Sequence, residues 1–376
     1  MCRMFSRLVS LSALLVLAAS PVIGADPLGL QPQPISLQTA GPLAFGPHSV
    51  LFVGDPKAAT VYAINVKEAA ASASPSTASD WAATKVDDLR VALAMAAASG
   101  ASADDVSLVD LAFDPEGGSL IASAMVGDRA MLFSMTAAGQ AKAISLDKVM
   151  ASKVALPDPP ADKVSGEGRR AGNRRMESIT DLAFAEGRVL VSGLTGQEGA
   201  STVLAFDFPF RDKSVGTDLE IYHGAHGRVE ETAAVRSFVP MTIDGKPSLL
   251  AGFTCTPLVQ FSLADLQAGT KVRGKTVAEL GNRNKPLDMV PYEKDGHPYL
   301  LVANSARGLM KVDVANIASQ EAINEPVPGG GTKGLSFETV DSLQGVTQLA
   351  KINDSHCLVV SEQPSKQLRL TAVELP

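Results

Sequence analysis

Cysteine is nearly absent from the 376-residue chain: there are three, and Cys2 lies at the very start, leaving Cys255 and Cys357 in the body of the protein. A fold of this size cannot rest on two thiols, so packing rather than a disulfide framework must hold it together. Cys255 is expected just past the end of a strand and Cys357 at the start of another, two repeats away. A bridge needs Cα atoms within about 7 Å, so both are expected to be unpaired. Nor is there a Cys-x-x-Cys-His, which excludes covalently attached heme c. Gly-x-Ser-x-Gly and a glycine-rich phosphate loop opening a helix are missing too, leaving no catalytic residue to assign.

Positive charge is also scarce. The net charge is -7, with 33 basic against 40 acidic residues, whereas a nucleic-acid partner demands a concentrated basic surface. The local exception, Arg169, Arg170, Arg174 and Arg175, falls in a Gly/Pro/charge-rich stretch and is expected to be a solvated insertion. No apolar run reaches the roughly 20 residues of a membrane span, so no integral span is expected. The longest, Leu8 to Ala19, follows Arg3 and Arg7 and precedes Pro21, Gly24 and Ala25. That order of charge, apolar core and small residues is a secretory signal. Residues 1–25 are therefore expected to be removed, and the mature chain to be periplasmic or secreted.

What is present is a repeat. Six blocks each begin with a short apolar strand and a turn, at Pro42-Leu-Ala-Phe, Asp110-Leu-Ala-Phe, Asp181-Leu-Ala-Phe, Ser237-Phe-Val-Pro, Asp288-Met-Val-Pro and Gln348-Leu-Ala-Lys. Second and third strands follow, and fourth strands are legible at Ala141 to Leu146, Asp218 to Tyr222 and Thr276 to Leu280. Four antiparallel strands per repeat predict an all-β, six-bladed β-propeller as one domain over 26–376, because radial closure protects sheet edges. The intervals between openings, 68, 71, 56, 51 and 60 residues, exceed a compact blade and place insertions at 67–106 and 157–175. Within the first, Val86, Leu89, Val91, Leu93 and Ala94 read as a short amphipathic helix near 81–99 rather than as strands of a seventh blade. The segment Pro34 to Gln38 is expected to complete the last blade beside Gln367 to Val373. Gly329 to Gly331 reads as an inter-blade loop.

The openings, above all Asp110 to Gly117 and Asp181-Leu-Ala-Phe, resemble the repeats of NHL, YVTN and lactonase-like propellers. More closely, His223-Gly-Ala-His-Gly227, Phe253-Thr-Cys-Thr-Pro-Leu-Val259, Glu279-Leu-Gly-Asn-Arg-Asn284 and Asn304-Ser-Ala-Arg-Gly308 resemble a group of exported bacterial proteins, planctomycete ones among them. The resemblance implies fold and export, and carries no catalytic residues with it.

Propeller geometry sorts the polar residues by face. His48, His297 and His356 fall in first-to-second turns, as solvated turn residues. The opposite face receives His223, His226, Glu230, Glu231, Glu177, Cys255, Asn282, Asn284, Asn304 and Arg307, mostly from blades 3 to 5. His226, Glu230, Asn282, Asn284, Asp288, Asn304 and Arg307 are thus expected to bind a small-molecule ligand or partner protein. His226, Asn284, Asp288 and Arg307 in particular are expected to share a pocket near the channel mouth. Two sets could hold an ion: His223, His226 and Cys255 for zinc or copper, or Asp110, Asp181 and Asp288 around the axis for calcium. The latter would suit a cation-dependent hydrolase of lactonase type, the enzymatic alternative to a binding module.

Overall fold

The computed structural model describes residues 26–67, 76–166, 168, 171–211, 216–255 and 257–376. The expected signal segment and Arg169 and Arg170 lie outside them. Six sheets, antiparallel except where Lys271–Arg273 joins blade 3 in parallel, form the six blades of a β-propeller, and every repeat read from the sequence supplies the three inner strands of one blade. The innermost strands are Leu43–Phe45, Val106–Phe113, Asp181–Ala185, Val235–Ile243, Pro286–Lys294 and Val346–Lys351 for blades 1 to 6 in chain order. First-to-second turns are tight where the sequence permits it. Asp295 and Gly296 both take positive φ, 53° and 76°, the conformation that matches the twist of a two-residue hairpin.

The order of blades around the ring is not the order of the chain. Gln348 Nε2 of blade 6 donates to Val109 O of blade 2 at 3.0 Å. Leu43 N of blade 1 donates to Asp110 Oδ2 of blade 2 at 2.7 Å. Ser178 Oγ, leading into blade 3, donates to Pro56 O of blade 1 at 2.9 Å. Blades 3, 4, 5 and 6 then follow in sequence, so the ring runs 2-1-3-4-5-6 and closes between blades 6 and 2.

The first of the two insertions reaches across to another blade. It carries a helical turn, Ala78–Ala82, then the strand Lys85–Val86, then the expected helix, Leu89–Ala96. Lys85–Val86 pairs with the third strand of blade 6 as its outermost strand. The N-terminal segment does not complete that blade. Its strand Gln31–Gln33 instead pairs with Val149–Ala155, which returns from blade 2 to be the fourth strand of blade 1. Blades 1 and 6 are thus finished by segments from elsewhere in the chain.

The cores lie between blades. One cluster unites Trp81, Leu89 and Leu93 of the insertion with Leu120 and Phe133 of blade 2 and Leu358, Val360 and Leu370 of blade 6. Cys255 and Cys357 are both free, as their positions in separate blades require. No described helix is long and apolar enough to cross a membrane.

Candidate metal centre

Asp110, Asp181 and Asp288, at equivalent positions on the innermost strands of blades 2, 3 and 5, occupy alternate positions in the ring. Each does the same thing. Asp110 Oδ1 accepts from Leu111 N and Oδ2 from Leu43 N, both at 2.7 Å. Asp181 accepts from Leu182 N and Phe238 N at 2.8 Å, and Asp288 from Met289 N at 2.7 Å and Leu349 N at 2.6 Å. Each carboxylate therefore staples its blade to the next one round. Together they line an axial cavity of about 80 Å³ with Pro42, Thr180, Arg236 and Gln348. That is well below the ~300–1,000 Å³ of a typical small-molecule site. Burial, then the mutual repulsion of Asp110 and Asp181, pushes Asp110 up to about 8. Burial alone carries Asp181 to about 7 against its own hydrogen bonds. Asp288 is raised by burial and by the charge of Asp110.

A different cluster has metal-ligand geometry. The fourth strand of blade 3, Thr217–His223, ends on a tight turn in which His226 N donates to His223 O at 3.1 Å and Gly227 takes φ 63°. The chain returns as Arg228–Glu230, pairing His223 with Arg228 and Ile221 with Glu230. Side chains alternate along a strand, so this register puts His223 and Glu230 diagonally on one face, while the turn folds His226 over them. His223 Nδ1 lies 2.8 Å from Glu230 Oε2 and His226 Nδ1 2.7 Å from Glu230 Oε1, with the rings 3.9 Å apart. Among the described residues, His223, His226 and Glu230 are the group whose ligand atoms all fall within 4.8 Å of one another. Burial opposes ionisation of Glu230, but the hydrogen bonds from His223 and His226, the His223 charge and Arg228 outweigh it and hold the carboxylate at about 2.

Cys255 is not part of this centre. It sits in the second-to-third turn of blade 4, where its N–H donates to Asn284 O at 2.8 Å. The histidines, by contrast, close the fourth strand of blade 3. A strap from blade 5, the segment 314–336, covers them. Val327 N donates to Gly224 O and Ile323 N to Thr276 O, both at 2.9 Å, and Thr332–Gly334 pairs with Lys275–Leu280 of blade 4. The Pro/Gly-rich segment read as a loop between blades belongs to this strap, which leaves His223 1% exposed while the His226 side chain remains 44% exposed.

The other expected ligand residues divide by radius. Asn284 Nδ2 donates to Gly281 O and Asn282 O, Asn304 Nδ2 to Asn284 Oδ1, and Asn304 Oδ1 accepts from the amides of Ala306 and Arg307. These side chains lock the turns at the seam of blades 4 and 5. The Arg307 guanidinium lies against Gly281, where any β-carbon would collide with it. Asp288 lines the axis, Asn284 and Arg307 this seam, and His226 the rim. A shared face is not a shared radius: His226 follows the fourth strand of its blade, whereas Asp288 lies on an innermost one. His48 is exposed in its turn, His297 Nε2 lies 3.0 Å from Asp313 Oδ1, and His356 Nδ1 meets Ser355 Oγ at 2.9 Å.

Sequence reasoning missed Glu279. It is fully buried, and its Oε1 accepts from Gly224 N in the histidine turn. A lone carboxylate in the apolar run Thr276-Val-Ala-Glu-Leu280 was the available signal.

No family model matches the chain, and no curated protein matches it. Solved structures similar to it include a putative oxidoreductase (glucose dehydrogenase) from Thermus thermophilus, 14% identical over 92% of this chain and 100% of that one, with a TM-score of 0.35. Another is the PQQ-bound aldose sugar dehydrogenase of Streptomyces coelicolor, at 10% identity, 93% and 99% coverage and a TM-score of 0.34. A third is a gluconolactonase from Xanthomonas campestris, at 11% identity, 95% and 94% coverage and a TM-score of 0.29. At these scores and identities, nothing about the chemistry of this chain follows from them.

Proposed function

We propose that the protein is an exported metal-binding propeller, in which one zinc or copper ion is held by His223, His226 and Glu230 on the rim of blade 3. The observation that carries this is the convergence of two imidazoles and a carboxylate within 4.8 Å. Imidazole donors favour zinc and copper over calcium and magnesium, which prefer oxygen alone. A set of two histidines and a glutamate supplies three ligands and leaves a fourth position for water or a bound ligand. The half-exposed edge of His226 is the open side, so the propeller is a rigid platform that presents a metal to a small molecule or partner.

Chelator-stripped protein titrated with zinc is expected to take up one equivalent. Glu230→Ala and His226→Ala should each weaken binding by more than the roughly 10–100-fold typical of an outer-shell partner, with the β-sheet circular dichroism retained. At a free metal concentration of about 100 times Kd, binding should also add roughly 2.7 kcal/mol of stability. Wild-type protein that takes up neither zinc nor copper would overturn the assignment.

A further inference from the structure

Two buried polar atoms beside this centre have no hydrogen-bond partner: Nε2 of His223 and Oε2 of Glu279. They belong to side chains 1% and 0% exposed, on the neighbouring fourth strands of blades 3 and 4. The carboxylate is fixed in place, because its Oε1 accepts from Gly224 N, the residue after His223, and a β-carbon at 224 would lie 3.0 Å from the Glu279 side chain. Leaving a buried donor or acceptor unpaired is costly, so two such atoms on neighbouring strands, with no hydrogen bond or ion pair between them, call for an explanation.

The tautomers of His223 supply it. When its Nδ1 carries a proton donated to Glu230, neutral Nε2 is a bare acceptor, and a carboxylate nearby cannot satisfy it. When a metal takes Nδ1, the ring proton must sit on Nε2, which becomes a donor in need of an acceptor. Metal-bound histidines usually donate their second nitrogen to a carboxylate or carbonyl, which fixes the ring and strengthens the ligand. We infer that Glu279 is the positioning residue of the metal centre, its Oε2 accepting the Nε2–H that His223 carries when metal occupies Nδ1. This rests on the metal-binding assignment and adds to it: the centre spans two blades, with ligands from blade 3 oriented by a carboxylate of blade 4.

The test is Glu279→Gln. Its amide oxygen can still accept from Gly224 N, but the NH2 that replaces Oε2 can only donate, opposing the metal-bound tautomer and suiting the metal-free one. Zinc affinity is expected to fall about 10–100-fold, with the thermal midpoint of metal-free protein unchanged or raised. A purely structural Glu279 gives the reverse, a lowered metal-free midpoint with unchanged affinity, and that result would overturn the inference. Histidine side-chain nitrogen NMR of zinc-loaded wild-type protein reads the same point without a substitution. A proton on Nε2 of His223 is expected, and metal on Nε2 with the proton on Nδ1 would refute it. Absence of any binding in the wild type would instead remove the metal centre itself, and the role of Glu279 with it.

Discussion

Trp81→Ala is expected to destabilise the protein by about 3–5 kcal/mol, the usual cost of truncating a fully buried aromatic. Trp81 is 0% exposed, donates from Nε1 to Gly118 O at 2.9 Å and packs edge-to-face on Phe113 at 5.4 Å. Its importance comes from its position more than its area. The ring closes between blades 6 and 2, which are far apart in sequence, and Trp81 lies in the insertion that fills that seam. Three residues later the chain begins to run along the third strand of blade 6, with Ala372 N donating to Thr84 O at 3.0 Å, followed by the pairing of Lys85–Val86. Losing the indole therefore loosens both the wedge and the strand attached to it. As Trp81 is the chain's single tryptophan, wild-type fluorescence reports this seam directly. Its denaturant midpoint should coincide with that of circular dichroism, whereas the variant is followed by circular dichroism alone. A loss below about 1 kcal/mol would show that the seam is held by the flanking leucines instead.

The blade repeat was legible because each inner strand pairs with its immediate neighbour in sequence. Asp110-Leu-Ala-Phe and Asp181-Leu-Ala-Phe carry their own turns and partners. The exchange of blades 1 and 2 was not legible, since it rests on Lys85–Val86 and Gln31–Gln33, strands of two and three residues whose partners lie far away in the chain. So short a strand has no periodicity to read. The rim centre was half legible. His223 and His226 stand out as a pair, but Glu230 joins them through the register of a hairpin, and Cys255 was drawn in only because its blade is adjacent. Of the axial aspartates, the sequence showed the equivalence; the alternate spacing of their blades emerges only from the ring order 2-1-3-4-5-6.

That alternate spacing leads to a pH dependence. In chelator-treated protein, the thermal midpoint is expected to fall by several degrees as pH rises from 5 to 8. Asp110, Asp181 and Asp288 are raised in the folded protein, chiefly by burial, whereas an unfolded chain releases these protons near the ordinary value of 3.8. Between about 4 and 8 the folded state therefore holds more protons than the unfolded state, and stability declines with pH across that window. The displacement of Asp181 from 3.8 to about 7 corresponds by itself to roughly 4 kcal/mol at full titration. The staples persist because each carboxylate still accepts two backbone amides, so charge repulsion around the axis is tolerated rather than relieved. Glu230, held at about 2 against 4.5 in an unfolded chain, adds stability as pH rises only up to about 5 and is level between pH 5 and 8. Asp110→Asn removes one of the charges and should flatten the decline, since Asp110 raises Asp288 and is itself raised by Asp181. A midpoint that stays level or climbs between pH 5 and 8 would mean that the axial carboxylates ionise freely, their backbone hydrogen bonds outweighing burial.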